Sequence, residues 1–179
     1  MNSVMNKFNQ IWDDLKNEFP FSTMRECSFD DDNKVYLIDQ DLEKVVFDFD
    51  DVSEIWAKKK LGCRKPKSVD ALYTEANRLH LVEFKNQSKV DHRDVKAKIH
   101  DTLSLLNYFY AFEQSDFEKI RITLVRKGEK DSYKKVGHRR LNEKAGSSCP
   151  PSLEFLQTVY RINISKLTKD EFLQKLQVS

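Results

Sequence analysis

The stretch 65–87, KPKSVDALYTEANRLHLVEFKNQ, decides how the rest of the chain is read. Two segments within it, 68–74 and 79–84, are rich in β-branched and aromatic residues. Polar turn material (Glu75, Ala76, Asn77, Arg78) separates them, so the stretch predicts a β-hairpin. Side chains alternate along a strand, so Glu83 and Lys85 share a face with Leu79 and Leu81, and His80, Val82 and Phe84 share the other. A turn of even length, either Ala76-Asn77 alone or all of 75–78, sets one register. Thr74 then faces Leu79, Leu72 faces Leu81 and Asp70 faces Glu83, whereas an odd loop with a bulge would break this pairing.

That register brings two carboxylates onto one face with side-chain roots about 5 Å apart. Directly opposed like charges are unfavourable, and one acid stays protonated unless a cation neutralises the pair. Hard oxygen donors suit Mg²⁺, with Mn²⁺ as a substitute or Ca²⁺ as a third option. Lys85 projects beside the pair. Two acids and an ammonium at one spot are the groups that metal-assisted phosphodiester hydrolysis requires. The acids hold the ion, and the ammonium orients a water or balances developing charge.

Asp70, followed by Glu83-Phe84-Lys85 at the end of the next strand, resembles the signature of the PD-(D/E)XK nuclease superfamily, the restriction-endonuclease-like fold. The likeness covers roughly 52–125 in order of elements. Val69 stands where the family pattern has proline. The resemblance implies an α/β fold, a mixed central sheet flanked by helices, and a Mg²⁺-dependent endonuclease acting on DNA before RNA, with a structure-specific RNase as an alternative. It implies that Asp70, Glu83 and the Phe84 carbonyl hold the metal and that Lys85 positions the attacking water. A further acid on a preceding helix would be Glu54, with Glu43 as its rival. Gln87, two residues past Lys85, would touch the scissile phosphate. Phage defence or DNA processing is the context such domains serve, and a homodimer or a larger defence-system partner is the assembly it allows.

A length of 179 residues suits one domain with a proper core. With 34% charged and 39% hydrophobic residues and few Gly or Pro, the composition is that of a globular, helix-rich protein rather than a disordered one. No apolar run reaches membrane-span length and the first residues lack a secretory pattern, so a cytoplasmic location is expected. Three cysteines (Cys27, Cys63, Cys149) without C-x-x-C spacing indicate neither a disulfide framework nor a zinc site. The net charge of +2 hides an asymmetry. Acids dominate 26–54 and basic residues dominate from Lys58 onward. Lys65 and Lys67, the start of the following helix (Lys89, Arg93, Lys96, His100), and His138, Arg139 and Arg140 are candidate phosphate contacts. For any single run, solvated surface charge is the simpler account.

The remaining periodicities predict a single domain over 1–179. A helix at 5–19 and acidic strands at 24–29, 34–38 and 44–49 come first. A helix capped by Asp51 or Ser53 then runs on and stops at Gly62. Val95, Ile99, Leu103, Leu106 and Tyr110 mark a long helix over 90–112. A strand follows at 119–126, parallel to the Glu83 strand, as a strand–helix–strand unit demands. A basic loop spans 128–151, a strand runs through 159–162, and a last helix is capped near Thr168. The competing function is a non-catalytic partner-binding or inhibitory module on the same scaffold.

Overall fold

The computed structural model describes residues 6–40, 42, 44–86, 91–128 and 153–178. Asn6 caps the first helix, α1 (Lys7–Glu18), its side chain accepting from the Phe8 N–H at 3.0 Å. Phe8, Ile11 and Leu15 form its buried stripe, and the helix ends at Phe19, before Pro20, as the spacing predicts. The acidic third is less regular than expected. After β1 (Ser22–Thr23), the predicted strand at 24–29 is instead a single turn, α2 (Met24–Cys27), because Thr23 and Glu26 close a reciprocal capping box. β2 (Phe29–Asp30) and β3 (Val35–Tyr36) form a small separate ribbon.

β4 (Val45–Asp48) leads directly into α3 (Phe49–Trp56). Its cap is Asp48 rather than Asp51 or Ser53, since the Asp48 carboxylate reaches the N–H groups of Asp50 and Asp51 at 3.0 and 3.2 Å. An earlier start also lets Phe49 join the core with Val52 and Trp56. The helix continues as one π-turn, Ala57–Leu61, and stops at Gly62, whose φ of 63° ends helices at little steric cost.

β5 (Ala71–Glu75) and β6 (Arg78–Lys85) form the predicted hairpin, with Leu72 opposite Leu81 and Thr74 opposite Leu79. Its loop is the two-residue version, Ala76-Asn77, both at positive φ, the primed-turn geometry that matches strand twist. α4 (His92–Tyr110) and α5 (Gln114–Phe117) return the chain to β7 (Ile120–Arg126), which lies parallel to β6 as expected. α6 (Glu154–Tyr160), β8 (Asn163–Thr168) and α7 (Lys169–Val178) complete the described chain. The strand predicted at 159–162 begins later, at Asn163. Val159 and Tyr160 close α6, and Arg161, at φ 53°, turns the backbone out of it. Glu171 caps back onto Thr168, as the sequence indicates.

The fold is thus mixed α/β. Its main sheet has the order β1-β4-β5-β6-β7-β8, antiparallel through β6 and parallel from β6 to β8. Alternation sorts the two faces into two cores. Leu72, Leu79 and Leu81 pack with α1, α3 and α4, while Ala71, Tyr73, Val82 and Phe84 pack with α2 and α7. No helix among the described residues is long and apolar enough to cross a membrane.

Candidate active site

Asp70 extends the hairpin ladder one step beyond β5. Its N–H donates to the Val82 carbonyl and its own carbonyl accepts from the Phe49 N–H, both at 3.0 Å. The register of the ladder therefore sets Asp70 opposite Glu83, on the face that carries Leu72 and Leu81. The two carboxylates meet at a single ammonium. Lys98, from α4, lies 3.0 Å from Asp70 Oδ1, and 2.9 and 3.1 Å from Oε1 and Oε2 of Glu83. Lys85 Nζ reaches Glu83 Oε1 at 2.8 Å and Asp94 Oδ2 at 3.1 Å. Lys67 then holds the other Asp94 oxygen at 2.8 Å. Lys67, Asp94, Lys85, Glu83, Lys98 and Asp70 form one continuous chain of alternating charge.

Burial makes this chain different from a surface ladder. The Glu83 side chain is 0% exposed and those of Lys85 and Asp70 are 17% exposed. Oε1 of Glu83 makes no hydrogen bond of good geometry, and only the charge of the two nearby ammonium groups compensates it. Burial first, and the Glu83 charge second, push Asp70 up to about 8. Lys98 and the Phe84 N–H, which donates to Asp70 Oδ2 at 2.6 Å, oppose that rise. Burial also raises Glu83, against the pull of Lys98 and Lys85. For both lysines burial works against the charge, but the carboxylates outweigh it and raise each ammonium above its ordinary value. Asp94 is lowered: its two lysine partners overcome a burial effect of opposite sign.

The chain opens onto a cleft of about 550 Å³. Asp70, Phe84 and Lys85 line it, together with the start of α4 (Asp91, Arg93, Asp94) and the segment around β2 (Ser28, Phe29, Asp30, Asp32). Along β6, Lys85 turns its carbonyl toward β7, accepting from the Lys127 N–H at 3.2 Å. Phe84 N–H faces the other way, toward Asp70, and in an extended strand its carbonyl points to that side as well.

The structure therefore gathers Asp70, Glu83, Lys85 and the Phe84 backbone, with Lys67 and Arg93 at the same cleft. It does not gather Glu54. That side chain is 40% exposed and pairs with Lys58 one turn along its own helix, because α3 turns it outward. Asp94 is the third acid of the cluster in its place. Lys65 pairs with Asp50 at 3.4 Å, Lys96 covers the Phe155 ring at 5.0 Å, and His100 lies 3.3 Å from Asp101. The basic residues of this region are thus largely matched to acids or rings rather than pooled into one bare patch. Glu43, Gln87, Lys89, His138, Arg139 and Arg140, with the loop 128–151 beyond Gly128, lie outside the described residues.

Sequence reasoning missed Lys98. Its signal was present: Val95, Ile99 and Thr102 mark the buried stripe of α4, and a lysine three residues after Val95 and four before Thr102 has to face inward with them. Among the described residues no three His, Cys, Asp or Glu side chains form a metal-holding group. The donor set is two carboxylates, and Mg²⁺ is commonly held by one or two carboxylates with water and phosphate oxygens completing its shell. Asp70 and Glu83 already converge on one cationic nitrogen, so they fit such an ion. No family model, curated protein or solved structure matches the chain.

Proposed function

We propose that the chain is a metal-dependent nuclease that hydrolyses phosphodiester bonds, with DNA as its first substrate and structured RNA as the second. The observation that carries this reading is the convergence of Asp70 and Glu83, from neighbouring positions of two strands, on a single cation, with Asp70 and Lys85 on the lining of an open cleft. The likeness of Asp70 and Glu83-Phe84-Lys85 to the PD-(D/E)XK pattern supports it.

Asp70, Glu83 and the Phe84 carbonyl would hold Mg²⁺ or Mn²⁺. When bound, such an ion supplies charge against the phosphate and acidifies a water. The residues of the chain do the rest. Lys85, gripped by Glu83 and Asp94, keeps its ammonium fixed where the cleft begins, suited to orienting a water or a non-bridging oxygen. Arg93, in the first turn of α4 and on the cleft wall, adds a donor fork for a neighbouring phosphate.

One observation favours a second reading, a non-catalytic binding module: the buried acids already have ammonium partners and can stand without an ion. The two readings separate on one assay. Plasmid DNA and structured RNA are incubated with the protein in Mg²⁺, in Mn²⁺ and in chelator, beside Asp70→Asn and Lys85→Met. Cleavage that needs the metal and falls by about a hundredfold or more in each variant is the expected result. Cleavage that survives Asp70→Asn, or no cleavage of either polymer in any metal, sinks the nuclease reading.

A further inference from the structure

We infer that Lys98 is a built-in competitor for the metal: its ammonium occupies the place of the divalent ion, and the ion enters only by displacing it. This rests on the nuclease reading and goes beyond it by saying how the site is held shut. Three observations carry it. The Lys98 nitrogen is within 2.9–3.1 Å of three carboxylate oxygens from two acids, so one cation already satisfies the pair. A divalent ion held by both Asp70 and Glu83 needs the place between them that the Lys98 nitrogen now fills, since of the two ammonium groups at Glu83 Lys98 alone also reaches Asp70. Lys98 is also the only one of the cluster's lysines that touches Asp70. Lys85 contacts Glu83 and Asp94, and Lys67 contacts Asp94, so neither stands between the two acids.

The lysine has a long flexible stem, and Asp70 lies on the cleft lining. Withdrawal of the ammonium from the acids toward the cleft is a side-chain movement that leaves α4 in place. The contacts that must be broken are charge-assisted, so removing them strengthens ion binding by about ten- to a hundredfold. The consequence is a threshold. At low divalent concentration the lysine holds the acids and the site is closed. Above it the ion takes them and Lys98 is released to the cleft.

The test uses the full chain and Mg²⁺ alone. Calorimetric titrations compare the protein with Lys98→Met and with the double variant Asp70→Asn/Lys98→Met. They are run at several pH values between about 7 and 9, so that a proton taking the lysine's place on the acids is recognised by an affinity that changes with pH. The expected result is Mg²⁺ binding at least about tenfold tighter in Lys98→Met than in the parent, and lost in the double variant. Equal or weaker binding in Lys98→Met overturns the competition while leaving the nuclease reading intact. Absence of binding in both the parent and Lys98→Met overturns the two together. Because Lys98→Met leaves two buried acids without their partner and can unfold, the parent protein supplies a second measurement. Pulsed reductive methylation, mapped by mass spectrometry, is expected to label Lys98 faster with saturating Mg²⁺ than with chelator. An unchanged rate while calorimetry reports a bound ion overturns the proposal.

Discussion

The two ends of the β5–β6 hairpin are built from the same residue types to opposite effect. At the closed end, Glu75 faces Arg78 across the ladder and pairs with Lys44, so opposite charges meet on a partly exposed surface. At the open end the ladder sets Asp70 against Glu83, and two acids meet where solvent is largely excluded. The closed end is arranged as stability alone would arrange it. The open end requires help from outside the hairpin, namely Lys98 of α4 and the Phe84 N–H. A strand pair that keeps like charges opposed is held by an ammonium imported from outside the hairpin and not by its own pairing.

The largest effect that separates the two ends comes from removing each lysine. Lys98→Met strips the cation from two buried acids and is expected to lower stability by about 3 kcal/mol at alkaline pH, where both would ionise. The loss shrinks as pH falls and protons neutralise the acids. Lys44→Met breaks a pair whose side chains are 26% and 29% exposed and is expected to cost about 1 kcal/mol or less, with weak pH dependence. Denaturant melts of both variants at acidic and alkaline pH measure this. Equal losses would erase the distinction drawn between the two ends.

The second effect is the pH dependence of the parent itself. Asp70 is raised from an ordinary value of 3.8 to about 8, and Glu83 is shifted in the same direction. The folded form therefore holds more protons than the unfolded chain across that interval. The contribution of Asp70 is complete below 3.8 and is lost as pH rises through about 8, so stability declines with pH in that window. Both lysines are raised from 10.5, so their contribution is complete and constant below that value and is lost only above it. Asp70→Asn, neutral at every pH, is expected to flatten the decline. A slope as steep in Asp70→Asn as in the parent would mean that the acid pair is not its source.

A third effect, smaller again, tests how the open end is held in register. Thr102, fully buried on α4, accepts the Val69 N–H at 3.1 Å, one residue before Asp70. Thr102→Val keeps the shape and orphans that N–H, at a cost of about 1–3 kcal/mol. Amide exchange at Val69 and Asp70 is expected to accelerate more than at Thr74. Uniform acceleration along β5 would point to a general loss of packing instead.

What the sequence disclosed follows the same division. Period-2 alternation around Leu79 and Leu81, with an even turn, was enough to place Asp70 opposite Glu83, because a one-residue slip would have sent Leu72 and Leu81 to the wrong core. The apolar stripe of α4 and the parallel return of β7 were legible for similar reasons. Lys98 was not, because a search of a helix for apolar repeats passes over a lysine that sits between them. Resemblance and chain position point to Glu54, whereas the turn of α3 decides which way it faces. The cap at Asp48, the single turn at α2 and the bend at Arg161 each rest on a pair of local hydrogen bonds or a single dihedral, which hydrophobic periodicity does not encode.

The smallest effect belongs to the closed end, at the turn. Ala76 and Asn77 both adopt positive φ, at 47° and 59°. Asn tolerates that region, and the Asn77 side-chain oxygen here also accepts from the Asn6 amide at 3.1 Å. Ala has no such compensation, since its Cβ crowds the backbone in the left-handed region at a cost of about 1–2 kcal/mol. Glycine relieves the crowding but adds freedom to the unfolded chain, which returns about 0.4–1 kcal/mol. Ala76→Gly is therefore expected to stabilise by about 0.5–1 kcal/mol, read as a higher denaturation midpoint with an unchanged slope. It is also expected to leave Mg²⁺ affinity and the pH slope untouched, because the turn lies a full strand away from the acids. A destabilised Ala76→Gly would show that the turn's backbone is not under the strain its dihedrals imply. A shift in metal affinity would show that the two ends of the hairpin, so different in their charges, are mechanically one.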